Sequence, residues 1–269
     1  MSDLRNPMSE YRDEFNPKRL DVLAAVREAY SGAWNNAGEM LRLIWLPGVL
    51  YLALNVTGAM LLGEGNELLR ALIDLATLFL WSIIAIAWHR FILLNEVPQG
   101  KYQIRFGRRE MRFIAASLFL ALLLMPGFFL SVLTDGLQDM GSAAALIGFA
   151  ATLLAFVSLY FLVRFLLLLP AAAIDEPFNL RMILERTRGN FWRLLAVCIL
   201  SSLPLIFAYL LLLNLFVAYE LPLFIAIMIS AVILIFFAIV NVATLSIAYR
   251  ELIGPPGSLA ADMDRPDPI

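Results

Sequence analysis

The sequence predicts an all-α polytopic membrane protein, six transmembrane helices in a bundle with amphipathic helices at the interface. Three observations carry this. First, 61% of the 269 residues are apolar and 16% charged, and the mean hydropathy is +0.81. A soluble domain runs about 45–50% apolar and about 25% charged, so there are too few polar side chains here to cover a water-soluble fold. Second, six apolar runs, 43–62, 71–94, 113–134, 143–169, 191–218 and 221–249, reach the roughly 20 residues that a span needs. They lack the alternation of a membrane β-barrel, which leaves helices as the way to satisfy the backbone in lipid. Third, 19 of the 20 Lys and Arg residues fall before the first run, in the second and fourth connections, or after the last run, with Arg70 alone on the opposite side. The positive-inside rule then places both termini in the cytoplasm.

Residues 1–17 are polar and of mixed charge and read as a cytoplasmic tail without a secretory signal. From 18 to 30 the pattern changes. Val22, Val26, Ala29, Tyr30 and Ala33 recur at helical spacing with Arg27 and Glu28 off the stripe, as in an amphipathic helix lying on the membrane surface. Asn36 followed by Glu39 predicts a capping box opening the first span. The fourth run is too long for a single crossing. Ala143 to Ile174 is 32 residues, about 48 Å of helix against a hydrocarbon core of about 30 Å. Either the helix turns along the interface near Pro170, or Arg164 lies inside the bundle, where a charge needs a partner.

A second surface helix is predicted over 178–188, with Leu180, Ile183, Leu184 and Thr187 on one face and Arg181, Glu185 and Arg188 on another. Gly189 suits its stop and Asn190 the cap of the fifth span. Small residues at helical spacing, Ala144, Gly148 and Thr152 in the fourth span and Ala226, Ser230, Ala238 and Ser246 in the sixth, predict close helix packing or else a pore lining. Residues 253–269 begin with a Gly-Pro-Pro-Gly-Ser stretch that offers a helix little, so they read as a second tail, and the membrane domain is 18–252.

The spans also group as three hairpins, each odd span carrying one proline: Pro47, Pro126 and Pro204. A threefold parallel repeat about the membrane normal would have this form. Mitochondrial carriers share that layout but follow the proline with a charged gate. Here Pro47 precedes Gly-Val-Leu-Tyr, Pro126 Gly-Phe-Phe-Leu and Pro204 Leu-Ile-Phe-Ala.

Composition excludes several chemistries. One Cys (Cys198) and one His (His89) leave no internal disulfide and too few ligands for a zinc site, so no metal or cofactor is expected. A net charge of −2 argues against nucleic acid as a partner. The spans hold no paired carboxylates and no nucleophile adjacent in sequence to a base, so the expectation is that the chain is not an enzyme.

Two groups of residues remain as candidates. An arginine marks the cytoplasmic end of every span: Arg42, Arg90, Arg112, Arg164, Arg193 and Arg250, reinforced by Arg105, Arg108 and Arg109. These read either as snorkelling anchors or as contacts for anionic lipid headgroups or a phosphorylated ligand. Near the opposite face, Asn55, Arg70, Asp74 and Asn214 form a candidate outer polar cluster, or else an i,i+4 pair with interhelical hydrogen bonds. His89 reads as an interfacial anchor and Asn241 as interhelical glue.

Three short motifs carry a resemblance: Ala87-Trp88-His89-Arg90; Arg164 followed by Leu169-Pro170-Ala171-Ala172-Ala173; and Thr187-Arg188-Gly189-Asn190. Over roughly 20–250 the chain resembles a group of small six-helix bacterial inner-membrane proteins. They include the membrane domain that precedes some glycerophosphoryl diester phosphodiesterases. The resemblance implies membrane residence. The phosphodiesterase's catalytic domain is absent from this sequence, so no catalytic residue carries over. The expected function is a non-catalytic accessory, scaffold or lipid-associated factor, with anionic lipids of the cytoplasmic leaflet and a membrane protein as partners. The alternative is a transporter or channel with a mostly uncharged path.

Overall fold

The computed structural model describes residues 19–61, 67–96, 107–136, 142–220 and 222–263. The tail 1–17 and Arg105 lie outside the described residues. The described chain forms α1 (Val22–Asn35), α2 (Ala37–Leu61), α3 (Glu67–Leu94), α4 (Arg108–Gly136), α5 (Ser142–Phe165), α6 (Leu168–Ala173), α7 (Leu180–Arg186), α8 (Phe191–Ala218), α9 (Leu223–Leu252) and α10 (Ser258–Met263), with no strand among the described residues. Six of these, α2, α3, α4, α5, α8 and α9, are long and apolar enough to cross a membrane, one for each predicted run. Pro47, Pro126 and Pro204 lie within α2, α4 and α8, as membrane helices tolerate.

Successive spans pair as hairpins, α2 with α3, α4 with α5 and α8 with α9. The hairpins join where α3 meets α4 and α9, and where α5 meets α8. Side-chain burial is concentrated at one end. The buried residues lie early in α2 (Met40, Leu43, Ile44), late in α3 (Ile84 to His89), early in α4 (Phe113, Ile114, Ala116), late in α5 (Val163 to Phe165), mostly early in α8 (Phe191, Leu194, Val197) and late in α9 (Ile239 to Leu252). Because the spans alternate in direction, all of these lie at the end that carries the arginines. In the far half, Leu72, Phe129, Phe149, Phe207 and Val232 are exposed, as the lipid-facing surface of an apolar bundle is.

The predicted surface helices form, but they pack differently. α1 does not lie free on a membrane surface. Ala25, Ala29 and Ala33 are buried where α1 packs on α8 and α9, and the Tyr30 hydroxyl donates to Ser201 O at 2.7 Å. Alanine at this spacing lets the backbones approach closely. The capping box is not made. The Asn36 side chain donates to Gly32 O at 2.9 Å, so it closes α1 instead of opening α2.

The overlong fourth run is divided. α5 stops at Phe165, and α6 begins at Leu168 with Pro170 in its first turn, where a missing N–H costs no helical bond. α7 forms with Ile183 and Thr187 buried and Arg181 and Glu185 exposed, as predicted, although Leu180 of the predicted apolar face is exposed, and Asn179 caps it by accepting from Met182 N at 3.0 Å. Gly189 follows at φ +76°, the left-handed stop that glycine supplies. Asn190 stands at the N-cap position of α8, but its Oδ1 accepts from Leu20 N at 3.0 Å, which ties the chain entering α1 to the start of α8. The C-terminal segment also departs from expectation, because residues 258–263 are helical and Leu259 is fully buried.

Thr152 is exposed, and a close backbone approach is made by Gly127, where α4 meets α5. A Cβ on Gly127 would stand 3.0 Å from the Ala155 Cα. Gly127→Leu is therefore expected to force the hairpin apart and destabilise it by about 1–3 kcal/mol, read as a lower thermal unfolding midpoint in detergent. Gly38→Ala, where an added Cβ meets nothing within 4 Å, is the control and should hold or raise that midpoint.

Candidate functional site

The short connection between α6 and α7 gathers the basic end. Asp175 adopts φ +65°, a conformation that Asp and Asn reach several-fold more readily than other residues. Its carboxylate accepts from Arg109 at the start of α4, Nη2 to Oδ2 at 2.6 Å and Nε to Oδ1 at 3.1 Å. It also accepts from Arg90 at the end of α3 at 3.2 Å. Arg90 additionally donates to Ala173 O at 3.2 Å and pairs with Glu96. Arg112 donates to Glu176 O, with its guanidinium 4.8 Å from the centroid of the Phe178 ring.

Arg164 settles between the two alternatives left by the sequence. The helix does turn before Pro170, yet Arg164 is only 6% exposed. Its Nε donates to Thr187 Oγ1 at 2.9 Å, its Nη1 to Tyr160 Oη at 2.7 Å, and its Nη2 to Leu184 O. The Tyr160 ring centroid lies 5.1 Å from the guanidinium carbon. The cation thus sits where α5 and α7 both end. There, unpaired carbonyls carry the negative pole of each helix.

Arg186 repeats this at the end of α9, donating to Ile253 O at 2.6 Å. Arg193 instead donates to Leu20 O at 2.8 Å, ahead of the start of α1. Arg250 Nη2 binds both Glu28 oxygens, at 2.7 and 2.8 Å, and so joins α9 to α1. Glu176, buried, holds the C-terminal segment, with one oxygen accepting from Gly257 N and the other from Ala260 N at 3.1 Å.

The proposed arginine ring is therefore corrected in its availability. Arg90, Arg109, Arg112, Arg164, Arg193 and Arg250 are bonded within the protein. Arg42 and Arg108 are exposed, and Arg109 and Arg250 are also partly exposed beside their ion-pair partners. The outer cluster does not converge. Asn55 donates to its own Tyr51 O at 2.7 Å and Asn214 to its own Leu210 O at 2.8 Å. Arg70 and Asp74 are exposed and make no ion pair with each other. Asn241 does link spans, accepting from Ser202 Oγ at 3.4 Å.

His89 is buried inside the protein. It is 1% exposed, with Nδ1 2.7 Å from Ser246 Oγ. The Ser246 hydroxyl is directed to Val242 O at 2.8 Å, which makes Nδ1–H the donor to Oγ. The neighbouring Trp88 indole donates to Met40 O at 3.1 Å, so both residues of the motif fasten α3 to other spans.

Sequence reasoning missed Asp175, Glu176, Glu28 and Thr187 as partners. The available signal was two adjacent acids in a connection otherwise dominated by arginine. Asp175 gives a pH signature. The hydrogen bond from Arg109, opposed by burial and aided by the positive charge of Arg109, Arg90 and Arg112, holds its carboxyl below the ordinary range. A depressed carboxylate contributes its stability in full above the unfolded value, about 3.9, and loses it as pH falls through the folded one. The stability gap between wild type and Asp175→Asn is expected to be constant from pH 7 to about 5 and to narrow below about 4, measured by unfolding in detergent across that range.

No family model, curated protein or solved structure matches the chain. Fold and site together define a six-span helical membrane protein whose basic end is closed by an arginine-stitched cap.

Proposed function

We propose that the chain is a non-catalytic accessory or scaffold protein of the bacterial cytoplasmic membrane, associated with its lipids, with both termini and the arginine-stitched cap on the cytoplasmic side. The observation that carries this is the division of the bundle. One end is tied by polar bonds, most of them part-buried, across α1, α3, α4, α6, α7, α8, α9 and α10. The far half presents exposed polar side chains, Asn55, Asp74 and Asn214, on spans that are otherwise apolar. Polar groups on membrane helices favour contact with another helix over lipid. A rigid base with an adhesive lateral surface is the shape of a protein that holds a neighbour.

The test is in-cell crosslinking through photoreactive residues at positions 55, 74 and 214, followed by mild-detergent purification and mass spectrometry. A stoichiometric membrane-protein partner crosslinked from these positions is expected. Crosslinks to lipid alone, with a small solute that stabilises the purified protein, would overturn the scaffold reading in favour of transport. The orientation is tested separately by a reporter fused after Ile269, expected to be cytoplasmic. A periplasmic reporter would overturn it.

A further inference from the structure

A cavity of about 200 Å³ opens at the basic end between α1, α2, α3 and α9. Its lining is graded. α9 contributes Arg250 at the mouth, Ile247 about one turn deeper and Ala243 about two turns deeper. α2 is preceded by Asn36 at the mouth and places Met40 a turn below, and Asn95 stands just beyond α3, above Ile92 and Phe91. α1 closes the side with Glu28, Gly32 and Ala33. The α2, α3 and α9 walls therefore run from a polar residue at the mouth to apolar or small residues deeper in the bundle. That is the profile of an amphiphile entering head-outward from the leaflet.

The polar rim specifies the head. Glu28 and Arg250 stand together with opposite charges, and Asn36 and Asn95 are neutral. Asn95 holds φ +51°, and its amide makes no hydrogen bond among the described residues. The Asn36 amide nitrogen is spent on Gly32 O, which leaves its carbonyl oxygen as an acceptor. The rim thus offers donors at Arg250 and Asn95 and acceptors at Glu28 and Asn36. A net anion would find Glu28 repulsive, whereas a head bearing both a phosphate and a primary ammonium meets a partner for each charge. The volume holds such a head and the start of one acyl chain, and the remaining chain stays in lipid.

We infer that this cavity is a binding site for a zwitterionic aminophospholipid of the leaflet at the basic end. Its phosphate is held by Arg250 and Asn95, its ammonium by Glu28 and Asn36, and its first methylenes rest on Met40, Phe91 and Ile247. This deepens the lipid association proposed above and is tested independently of it, because the readout is selectivity between headgroups and not lipid content.

The experiment is native mass spectrometry of the purified full chain supplied with equimolar phosphatidylethanolamine and phosphatidylglycerol of identical acyl chains. Wild type is expected to retain the ethanolamine lipid about tenfold over the glycerol lipid, the worth of one charge-assisted hydrogen bond. Gly32→Leu fills the cavity from a position whose added Cβ meets nothing within 4 Å. It should abolish that preference with an unchanged unfolding midpoint. Glu28→Gln should erase selectivity while lipid still co-purifies, and Asn95→Asp, which sets a carboxylate against the phosphate, should lower retention of both lipids. A wild type that prefers the glycerol lipid, or a Gly32→Leu protein as selective as wild type, would overturn the site even if other lipids remain bound.

Discussion

Arg164→Met is expected to destabilise the protein by about 3 kcal/mol, the net of three charge-assisted hydrogen bonds lost and the desolvation cost of a buried charge relieved, measured as unfolding in mixed micelles. The sign is not automatic. Removing a buried charge also removes its desolvation cost, and exchanging a whole ionic group for apolar residues is often neutral. Here only one member leaves. Leu184 O, at the end of α7, and the Tyr160 hydroxyl each lose a donor, and an orphaned acceptor carries its own penalty. Thr187→Val attacks from the other side, leaving the cation with one acceptor fewer. It should cost about 1–3 kcal/mol. The double variant should cost less than the two singles combined, because the bond they share is counted in both. Arg164→Lys should fail to rescue. Nε, Nη1 and Nη2 each serve a different acceptor, a fork that a single ammonium does not reproduce. If Arg164→Met unfolds at the same point as wild type, the cap does not depend on this residue and its three bonds contribute nothing net to the fold.

The behaviour of Arg164 also shows where sequence reading succeeds and where it stops. The spans were legible because membrane insertion is a one-dimensional problem. Run length and apolar content are properties of consecutive residues, and each of the six runs became a helix. α7 was legible for a similar reason, since its period and its Gly189 stop are local. The arginine pattern was equally visible, but its meaning was not. Positive-inside statistics and snorkelling explain where arginines fall without saying which carbonyl each one meets. The partners of Arg164, Arg186 and Arg193 are main-chain oxygens at Leu184, Ile253 and Leu20, and a backbone carbonyl has no letter in a sequence. Asn36 and Asn190 went astray in the same way. Each sits where a cap belongs, yet each spends its side chain elsewhere, on Gly32 O or on Leu20 N.

The three short motifs gain a physical reading as well. Trp88, His89 and Arg90 reach Met40 O, Ser246 and Asp175. Arg164 reaches Thr187 of the third motif, and the alanines between are buried in α6. The motifs are the joints of one cap at the basic ends of the spans.

Glu176→Ala is expected to release the C-terminal segment while leaving the six spans folded. α10 has six residues, far short of the roughly 12–15 at which an isolated helix becomes even marginal in water. Its existence therefore depends on what docks it. Two anchors do so, the buried Leu259 side chain and the Glu176 carboxylate, which takes the N–H groups of Gly257 and Ala260 at the helix start. Gly257 contributes φ +94°, a left-handed bend that a side chain rarely adopts, so the approach to the carboxylate is built into the backbone. Hydrogen bonds to an ionised acceptor contribute about 1.5–3 kcal/mol each, more than one buried leucine replaces once the helix frays. Chymotrypsin should then cut at Leu259 at least tenfold faster in Glu176→Ala than in wild type, following the open population. The detergent unfolding midpoint of the spans should move little. Glu176→Gln keeps one acceptor oxygen and should fall between the two. Equal cleavage rates in wild type and Glu176→Ala would mean that Leu259 alone docks the segment, and the carboxylate would then be a passenger in a contact made by apolar burial.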